Sequence, residues 1–281
     1  HNPAASVVMA GILVVLGLLI LSGFLTYGIQ ENRGVLAFLH GTWFREMKVF
    51  EEIHEFFGSL LWVLIGLHVS GVVLDRLLHG KEKTLTSMVD GYKVMEGESV
   101  RLRWYQSILA WLGIMGSVAV LVYALGVKDN VLTASHNTPV DFQKENGLFV
   151  SECGACHTLY PPSLLPVRSW EAVMAHLEEH FGDDASLSPQ DNATILSYLK
   201  RGADEHATHE ASMKILDSME NNVIIAITQT PFWERTHKEI ETWVFEGERI
   251  KSKANCKACH SDVEKGLLED VNIKMPTRRT S

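Results

Sequence analysis

Three long apolar runs constrain the fold of this 281-residue chain. The runs cover residues 4–30, 56–74 and 104–127, and none of them contains Asp, Glu, Lys or Arg. A helix needs about 20 apolar residues to cross the hydrocarbon core of a bilayer. The alternative, three buried helices of a large soluble core, would be unusual at these lengths with so few breaks. We therefore expect three transmembrane helices.

Basic residues between the second and third runs predict the orientation of these helices. Positive charge in short loops favours the cytoplasmic side, and six such residues lie here: Arg76, Lys81, Lys83, Lys93, Arg101 and Arg103. The segment 75–103 should then face the cytoplasm, and everything after Lys128 should lie outside. This predicts a multi-pass protein of the bacterial inner (cytoplasmic) membrane whose C-terminal domain is in the periplasm.

The part of the chain after residue 127 is polar and acidic. It contains 24 Asp and Glu against 16 Lys and Arg, which gives nearly all of the net charge of −9. No basic stripe outweighs these acids, so a nucleic-acid partner is not expected. The chain starts at His1-Asn2-Pro3 without a basic region, so the first apolar run is not expected to be a secretory signal peptide.

All four cysteines belong to two copies of one motif. Cys153-Gly154-Ala155-Cys156-His157 and Cys256-Lys257-Ala258-Cys259-His260 both have the Cys-x-x-Cys-His spacing that attaches a c-type haem. In this motif the two cysteines carry the porphyrin, so Cys153, Cys156, Cys256 and Cys259 are the predicted attachment residues. The adjacent histidines, His157 and His260, are the predicted proximal iron ligands.

Other readings of the cysteines are weaker. A four-cysteine zinc site usually brings its two pairs much closer in sequence, and zinc gives no reason for a histidine after each pair. A thioredoxin-like pair would need a strand–turn–helix context, and a disulfide scaffold would need a short secreted chain.

Two histidines of the second apolar region share one helix face. His68 lies in the middle of the run, where an ionisable side chain is costly and should have a partner or a metal. His54 lies fourteen residues earlier, which is about 21 Å along a helix and within about 40° of the same direction. This pattern suits two stacked b-type haems, one near each membrane surface, with one imidazole for each iron. The alternatives are an interfacial His54 and a His68 bonded to a neighbouring helix.

The residues around these histidines resemble a known family. His1-Asn2-Pro3, Glu52-Ile53-His54-Glu55 and Gly66-Leu67-His68-Val69-Ser70-Gly71 are similar to the second half of the bacterial cytochrome b561 and nickel–iron hydrogenase b-type cytochromes. The resemblance covers about residues 1–80 and implies two b haems in a four-helix core. It also implies opposite axial histidines on two earlier helices, so we expect further helices before His1 or from a partner subunit. His40 is expected at the surface or at a haem propionate rather than as a ligand.

Helical periodicity in the acidic part suggests two distal ligands. A helix from Trp170 to Phe181 with Ser169 as its N-cap would place His180 beside its apolar face, ahead of His176. A helix beginning after Thr230-Pro231 and running to Phe245 would place His237 on the side of Trp233. Further helices are expected after Ser188-Pro189 and at about 203–219. Surface exposure of these histidines is the alternative.

This part resembles the periplasmic dihaem cytochrome c family over most of residues 145–278. The resemblance is carried by both Cys-x-x-Cys-His motifs, His237 and these segments: Leu164-Leu165-Pro166, Ser169-Trp170, His180-Phe181-Gly182-Asp183-Asp184-Ala185-Ser186-Leu187 and Asn255. It implies two low-spin haems with a histidine on both faces, and relatives that pass electrons to small periplasmic haem proteins.

The sequence therefore predicts an all-α chain, a transmembrane helical bundle with three spans followed by a mostly helical dihaem cytochrome c domain. The predicted domains are a cytochrome b561-like part (1–80), a cytoplasmic loop with an anchor helix (81–128) and the periplasmic domain (129–281). The expected cofactors are two covalently bound haem c and two haem b whose remaining ligands lie outside this chain.

The expected function is electron transfer from membrane quinol through b and c haems to a periplasmic haem-protein acceptor, rather than stand-alone catalysis. The expected partners are membrane lipid, the quinone pool, that acceptor and subunits that supply helices or haem b ligands. The alternatives are a haem enzyme with an open c-haem site, a redox subunit of a larger respiratory complex, and a haem-based sensor.

Overall fold

A computed structural model describes residues 3–78 and 103–275, which divide into two compact units at 136/137. The described residues form helices, turns and isolated bridges and contain no strand, which confirms the all-α prediction. The predicted cytoplasmic loop lies mostly outside the described residues.

The first unit, residues 1–136, contains the long apolar helices. Helix α1 covers Pro3–Gln30, a short α2 covers His40–Trp43, α3 covers Met47–Leu78 and α4 covers Trp104–Gly126. Three helical segments are long and apolar enough to cross a membrane, and most of their apolar side chains are exposed, as lipid-facing residues would be. The chain is therefore a membrane protein.

Helices α1 and α3 form the packed pair of this unit. The connection between them turns through 3-10 helices at Gly34–Leu39 and Phe44–Glu46. His40 is buried in this connection, where its Nδ1 donates to the Ile29 carbonyl oxygen at 2.7 Å. The expectation of a surface His40 is wrong, because the ring closes the end of α1 by satisfying one of its last carbonyl groups.

The second unit, residues 137–281, consists of short helices around one apolar core. In chain order the helices are α5 (Phe142–Glu145), α6 (Gly147–Cys153), α7 (Val167–Ala175), α8 (Pro189–Gly202), α9 (Glu210–Met219), α10 (Pro231–His237) and α11 (Thr242–Glu246). Single 3-10 turns connect them at Pro162–Leu164, Leu177–Glu179, Ile227–Gln229, Cys256–Ala258, Val263–Lys265 and Asp270–Asn272. The core includes Leu165, Trp170, Ile195, Leu199 and Met219.

Two predicted helix starts are confirmed by their caps. The Ser188 hydroxyl accepts from the Asp191 amide at 3.1 Å with proline at the first helical position, and the Thr230 hydroxyl accepts from the Trp233 amide at 3.3 Å in the same way. These bonds satisfy amide groups that the first turn leaves without a helical partner.

Three predicted helix extents are wrong. Helix α7 ends at Ala175 instead of Phe181, and Pro166 rather than Ser169 occupies its N-cap. The helix expected at 203–219 begins at Glu210, and the one expected to reach Phe245 stops at His237. In each case the apolar periodicity of the sequence includes a polar segment that forms a turn instead of part of the helix.

Candidate haem-binding sites

The first motif begins at the end of helix α6. Asn146 caps this helix by accepting from the Phe149 amide at 3.0 Å, and the helix ends at Cys153 with Gly154 as its C-cap. A Cβ atom at Gly154 would lie 2.6 Å from the Val150 carbonyl oxygen, so the tight turn requires glycine here. The turn then carries Cys156 and His157 to the surface of the core.

His180 lies opposite His157. The centroids of the two imidazole rings are 6.2 Å apart and their planes differ by 27°. The Nδ1 of His157 donates to the Thr158 carbonyl oxygen at 2.7 Å, which leaves Nε2 of that ring as the lone-pair nitrogen. Burial and the neighbouring His157 lower the pKa of His180, so this imidazole is held in the neutral form that binds a metal.

A tight turn holds His180 in this place. The amide of His180 donates to the Asp183 carbonyl oxygen at 2.8 Å, and the Asp183 amide donates back at 3.2 Å. Between them Phe181 and Gly182 have positive φ angles of 54° and 100°. A phenylalanine in the left-handed region stores strain that the surrounding structure must offset, as is frequent at ligand sites.

The second motif has a matching partner in His237. The ring centroids of His237 and His260 are also 6.2 Å apart, but their planes differ by 61°. The Nδ1 of His237 donates to the Trp233 carbonyl oxygen at 2.9 Å, which again leaves Nε2 as the lone-pair nitrogen. Burial lowers the pKa of His237, and burial together with His237 lowers that of His260.

The spacing of both pairs fits an iron between two imidazoles. A metal–nitrogen bond of about 2 Å on each face, with about 1.2 Å from nitrogen to ring centre, separates two ring centroids by about 6 Å. In each pair one ring, His157 or His237, has its Nδ1 hydrogen-bonded to a backbone carbonyl oxygen, and each pair contains the histidine of a Cys-x-x-Cys-His motif. The residues present therefore fit two haem c groups.

Tyr160 joins the two motifs, which lie about a hundred residues apart in sequence. Its ring stacks on that of His157 with centroids 4.9 Å apart, and its hydroxyl donates to the Ala254 carbonyl oxygen at 2.6 Å. Burial raises the pKa of Tyr160, so the hydroxyl keeps its proton and remains a donor. A second link runs through Glu264, which accepts from the Leu159 amide at 3.3 Å and pairs with Lys257 at 3.1 Å.

In the membrane unit, small residues of α1 receive the ring of His54. Its Nδ1 lies 3.0 Å from the Ser22 hydroxyl oxygen, which itself donates to the Leu19 carbonyl oxygen at 3.0 Å. The hydroxyl therefore accepts from Nδ1, and Nε2 is left as the lone-pair nitrogen. A Cβ atom at Gly23 would lie 3.1 Å from Cε1 of His54, so the ring lies directly on this glycine. His68 is half-buried on the same helix, α3.

Known proteins resemble the second unit closely in sequence. Residues 149–268 match the family described as dihaem cytochrome c. A diheme cytochrome type c from Shewanella baltica is 34% identical, with a match that covers 47% of this chain and 94% of that protein at a TM-score of 0.38. A diheme cytochrome c from Rhodobacter sphaeroides is 36% identical, covering 46% of this chain and 99% of that protein at a TM-score of 0.40. The chain belongs to the dihaem cytochrome c family.

The membrane unit of this dihaem cytochrome c matches a different family. Residues 1–91 match the family described as prokaryotic cytochrome b561. No curated protein gives a significant match to the chain. The chain thus joins a cytochrome b561 segment to a dihaem cytochrome c domain, as its motifs predicted, and both families imply haem.

The structure places the predicted site residues of the dihaem cytochrome c domain in two groups. His157 lies with His180, and His260 lies with His237, while the exposed His176 stays outside both pairs. Sequence reasoning missed Tyr160, and it placed His237 on the side of Trp233 without showing that the two rings stack. The Trp233–His237 spacing of four residues could have revealed one stacked pair, but nothing in the sequence indicates that Tyr160 reaches Ala254.

Proposed function

We propose that this haem-based electron-transfer protein oxidises membrane quinol and delivers the electrons through b haems and two c haems to a periplasmic haem protein. The observation that supports the relay is the pairing of each motif histidine with a second histidine at 6.2 Å. When bound there, haem supplies one-electron redox chemistry. If both histidines of a pair hold the iron, neither oxidation state would gain or lose a ligand, and no position would be left open for a substrate.

An apolar groove in the membrane unit supports quinol as the donor. The groove has a volume of about 860 Å³ and lies between α1, α4 and the segment after α4. Tyr27 and Thr133 lie at its edge, and the buried Arg33 donates to the hydroxyl oxygen of Tyr27 at 3.1 Å and to the carbonyl oxygen of Thr133 at 2.9 Å. An apolar groove with a polar cluster suits a molecule with a hydroxylated ring and an isoprenoid tail.

The same groove adjoins a predicted ligand of haem b. Gly23 lines it and carries the ring of His54 on its surface. A quinol in the groove would therefore contact α1 at the glycine on which the His54 ring lies. The remaining axial ligands for His54 and His68 would come from further helices.

The distribution of charged residues supports the proposed location of the dihaem domain and the proposed kind of acceptor. The basic residues between the second and third apolar helices favour a cytoplasmic loop, which leaves the dihaem domain in the periplasm. The acidic excess of that domain favours an acceptor with a basic surface, because complementary charge speeds encounter.

The first test is the spectrum of the protein purified in detergent from membranes. Pyridine haemochrome counting should give two c haems per chain together with haem b. The reduced protein should be low-spin, and carbon monoxide should leave its difference spectrum unchanged. Absence of haem b would overturn quinol oxidation, and a c haem that binds carbon monoxide would favour a haem enzyme instead.

Filling the groove should block quinol oxidation selectively. Gly116 lines the groove and a Cβ there meets no atom within 4 Å, so Gly116→Leu fits the fold while occupying the groove. Reduction of the c haems by a quinol should slow about tenfold, which corresponds to about 1.4 kcal/mol. Reduction by dithionite should be unchanged. Gly126→Leu is the matched control, because Gly126 lies on the same helix with equal space but does not line the groove. Equal rates in both variants would place the donor elsewhere.

A further inference from the structure

The two histidine pairs of the dihaem domain have the same distance between their ring centroids but different angles between their ring planes. Both have ring centroids 6.2 Å apart, but the planes of His157 and His180 differ by 27° and those of His237 and His260 by 61°. The first pair is therefore nearly parallel, and the second is strongly crossed. This difference concerns the electronic state of the iron, because each imidazole donates π density perpendicular to its own plane.

In the first pair, Tyr160 fixes the plane of the proximal ring. It stacks on His157 with an angle of 22° between the rings, and the hydrogen bond from His157 to the Thr158 carbonyl oxygen prevents the imidazole from turning about its own bond. Tyr160 is itself held at its far end by the 2.6 Å bond to the Ala254 carbonyl oxygen. The ring plane of His157 is thus determined by contacts at its edge and on its face.

In the second pair, Trp233 has the same role for the distal ring. The indole and the imidazole of His237 stack with centroids 4.3 Å apart and only 12° between their planes. The Trp233 carbonyl oxygen also accepts from Nδ1 of His237, so one residue fixes both the plane and the rotation of the ring. The indole is packed against Phe245 at 6.0 Å, and the Lys253 ammonium lies 5.8 Å from its centre.

The angle between axial rings has a defined consequence for low-spin ferric iron. Parallel rings donate into the same iron d orbital and split the two π-type orbitals strongly. Crossed rings donate into both and leave the two orbitals nearly equal in energy. The first case gives a rhombic electron paramagnetic resonance (EPR) spectrum with resolved lines, and the second gives one feature at large g. The protein controls this through the groups that orient its ligands.

We propose that Tyr160 and Trp233 are positioning residues that make the two c haems electronically distinct, with near-parallel axial rings at the first motif and crossed rings at the second. The inference rests on the proposed binding of haem by the two histidine pairs. It adds that the two sites differ in the angle between their imidazole rings because one aromatic side chain at each site fixes the plane of one ring. Neither aromatic residue is expected to ligate iron.

The test is low-temperature EPR of the oxidised full-length protein in detergent. The native protein should show one rhombic c-haem signal and one large-g c-haem signal. Signals of haem b are recognised in a redox titration because they disappear on reduction at the potential at which the b-type α-band appears. Two c-haem signals of the same type would overturn the proposal. Absence of low-spin signals from the c haems would instead contradict the ligation proposed above, so the two failures are distinguishable.

Variants assign each signal to its aromatic residue. Tyr160→Leu should shift the rhombic signal alone, and Trp233→Leu should shift the large-g signal alone. Tyr160→Phe and Trp233→Phe keep an aromatic face and should restore most of the native position, which loss of folding would not. Tyr198→Phe is the control, because Tyr198 is buried against Phe149 in the same unit and stacks on neither pair. If Tyr160→Leu and Trp233→Leu retain both haems with unchanged spectra, the positioning role is wrong.

Discussion

Replacement of His180 by alanine should give the dihaem domain a carbon-monoxide-binding haem that the native protein lacks. His180 faces His157 at 6.2 Å and is held there by its turn with Asp183, so its removal vacates one axial position. The c haem of the first motif should become high-spin and bind one carbon monoxide per chain. Electron transfer through the domain should fall by at least about 10- to 100-fold, because that is the usual loss for a residue that only supports a metal ligand.

The neighbouring His176 gives a matched control for this experiment. Its side chain is 76% exposed and lies 3.5 Å from a carboxylate oxygen of Glu178. His176→Ala should therefore keep both c haems low-spin and indifferent to carbon monoxide. The assignment would be wrong if His180→Ala retained two low-spin c haems, or if the two variants gave the same carbon monoxide difference spectrum.

The position of His180 illustrates how far the sequence could predict this site. Periodicity placed His180 on the flank of one helix that continued to Phe181, but that helix ends at Ala175. The chain then makes a 3-10 turn, and the turn at Phe181 and Gly182 presents His180 to His157. The structure places His180, rather than His176, opposite His157. The helix from which the sequence analysis derived this preference, however, ends before both residues. A strained turn of this kind has no periodic signal in a sequence.

The surroundings of His237 were easier to predict because they are local. Trp233 precedes His237 by one helical turn, and both residues lie on α10 as the periodicity indicated. Val244, which the sequence placed on the same helix, belongs to α11 instead. Contacts within one turn follow from spacing, whereas the bond from Tyr160 to Ala254 joins residues that only the folded chain brings together.

The membrane unit was predictable at the level of its helices. Uncharged runs gave the first and third spanning helices nearly to their ends, since the bilayer imposes length and composition on them, whereas α3 extends beyond its uncharged run 56–74 at both ends. The contacts of the His54 ring with α1 were not predictable in the same way. Ser22 and Gly23 look like ordinary small residues of an apolar helix, and their role appears when α1 packs against α3.

A buried carboxyl group should make the stability of the dihaem domain fall as the pH rises from about 4 to about 8. Asp204 has an exposed fraction of 0%, and neither of its carboxylate oxygens meets a hydrogen-bond donor in the described part of the chain. Burial and the neighbouring Glu205 carboxyl together raise the pKa of Asp204 to about 8, and Arg168 opposes the shift. Glu205 is held in place because both of its oxygens accept from the Val167 amide, at 3.1 and 3.0 Å.

The direction of the pH effect follows from the two pKa values of Asp204. In the unfolded chain the carboxyl loses its proton near pH 4, whereas in the folded domain it keeps the proton until about pH 8. Its contribution to stability is therefore complete below pH 4, declines as the pH rises from 4 to 8, and is lost above the folded pKa.

Asp204→Asn should remove this decline, because the amide stays neutral and can donate to Glu205. We expect the variant to gain on the order of 3 kcal/mol over the native protein between pH 5 and pH 9. Denaturant unfolding of the full-length protein, followed at the Soret band across this range, measures the difference. Asp217→Asn, at an exposed position on α9, should leave the pH dependence unchanged. A native protein and an Asp204→Asn variant with parallel pH profiles would mean that Asp204 is ionised in the folded domain, with a proton donor or a cation beside it.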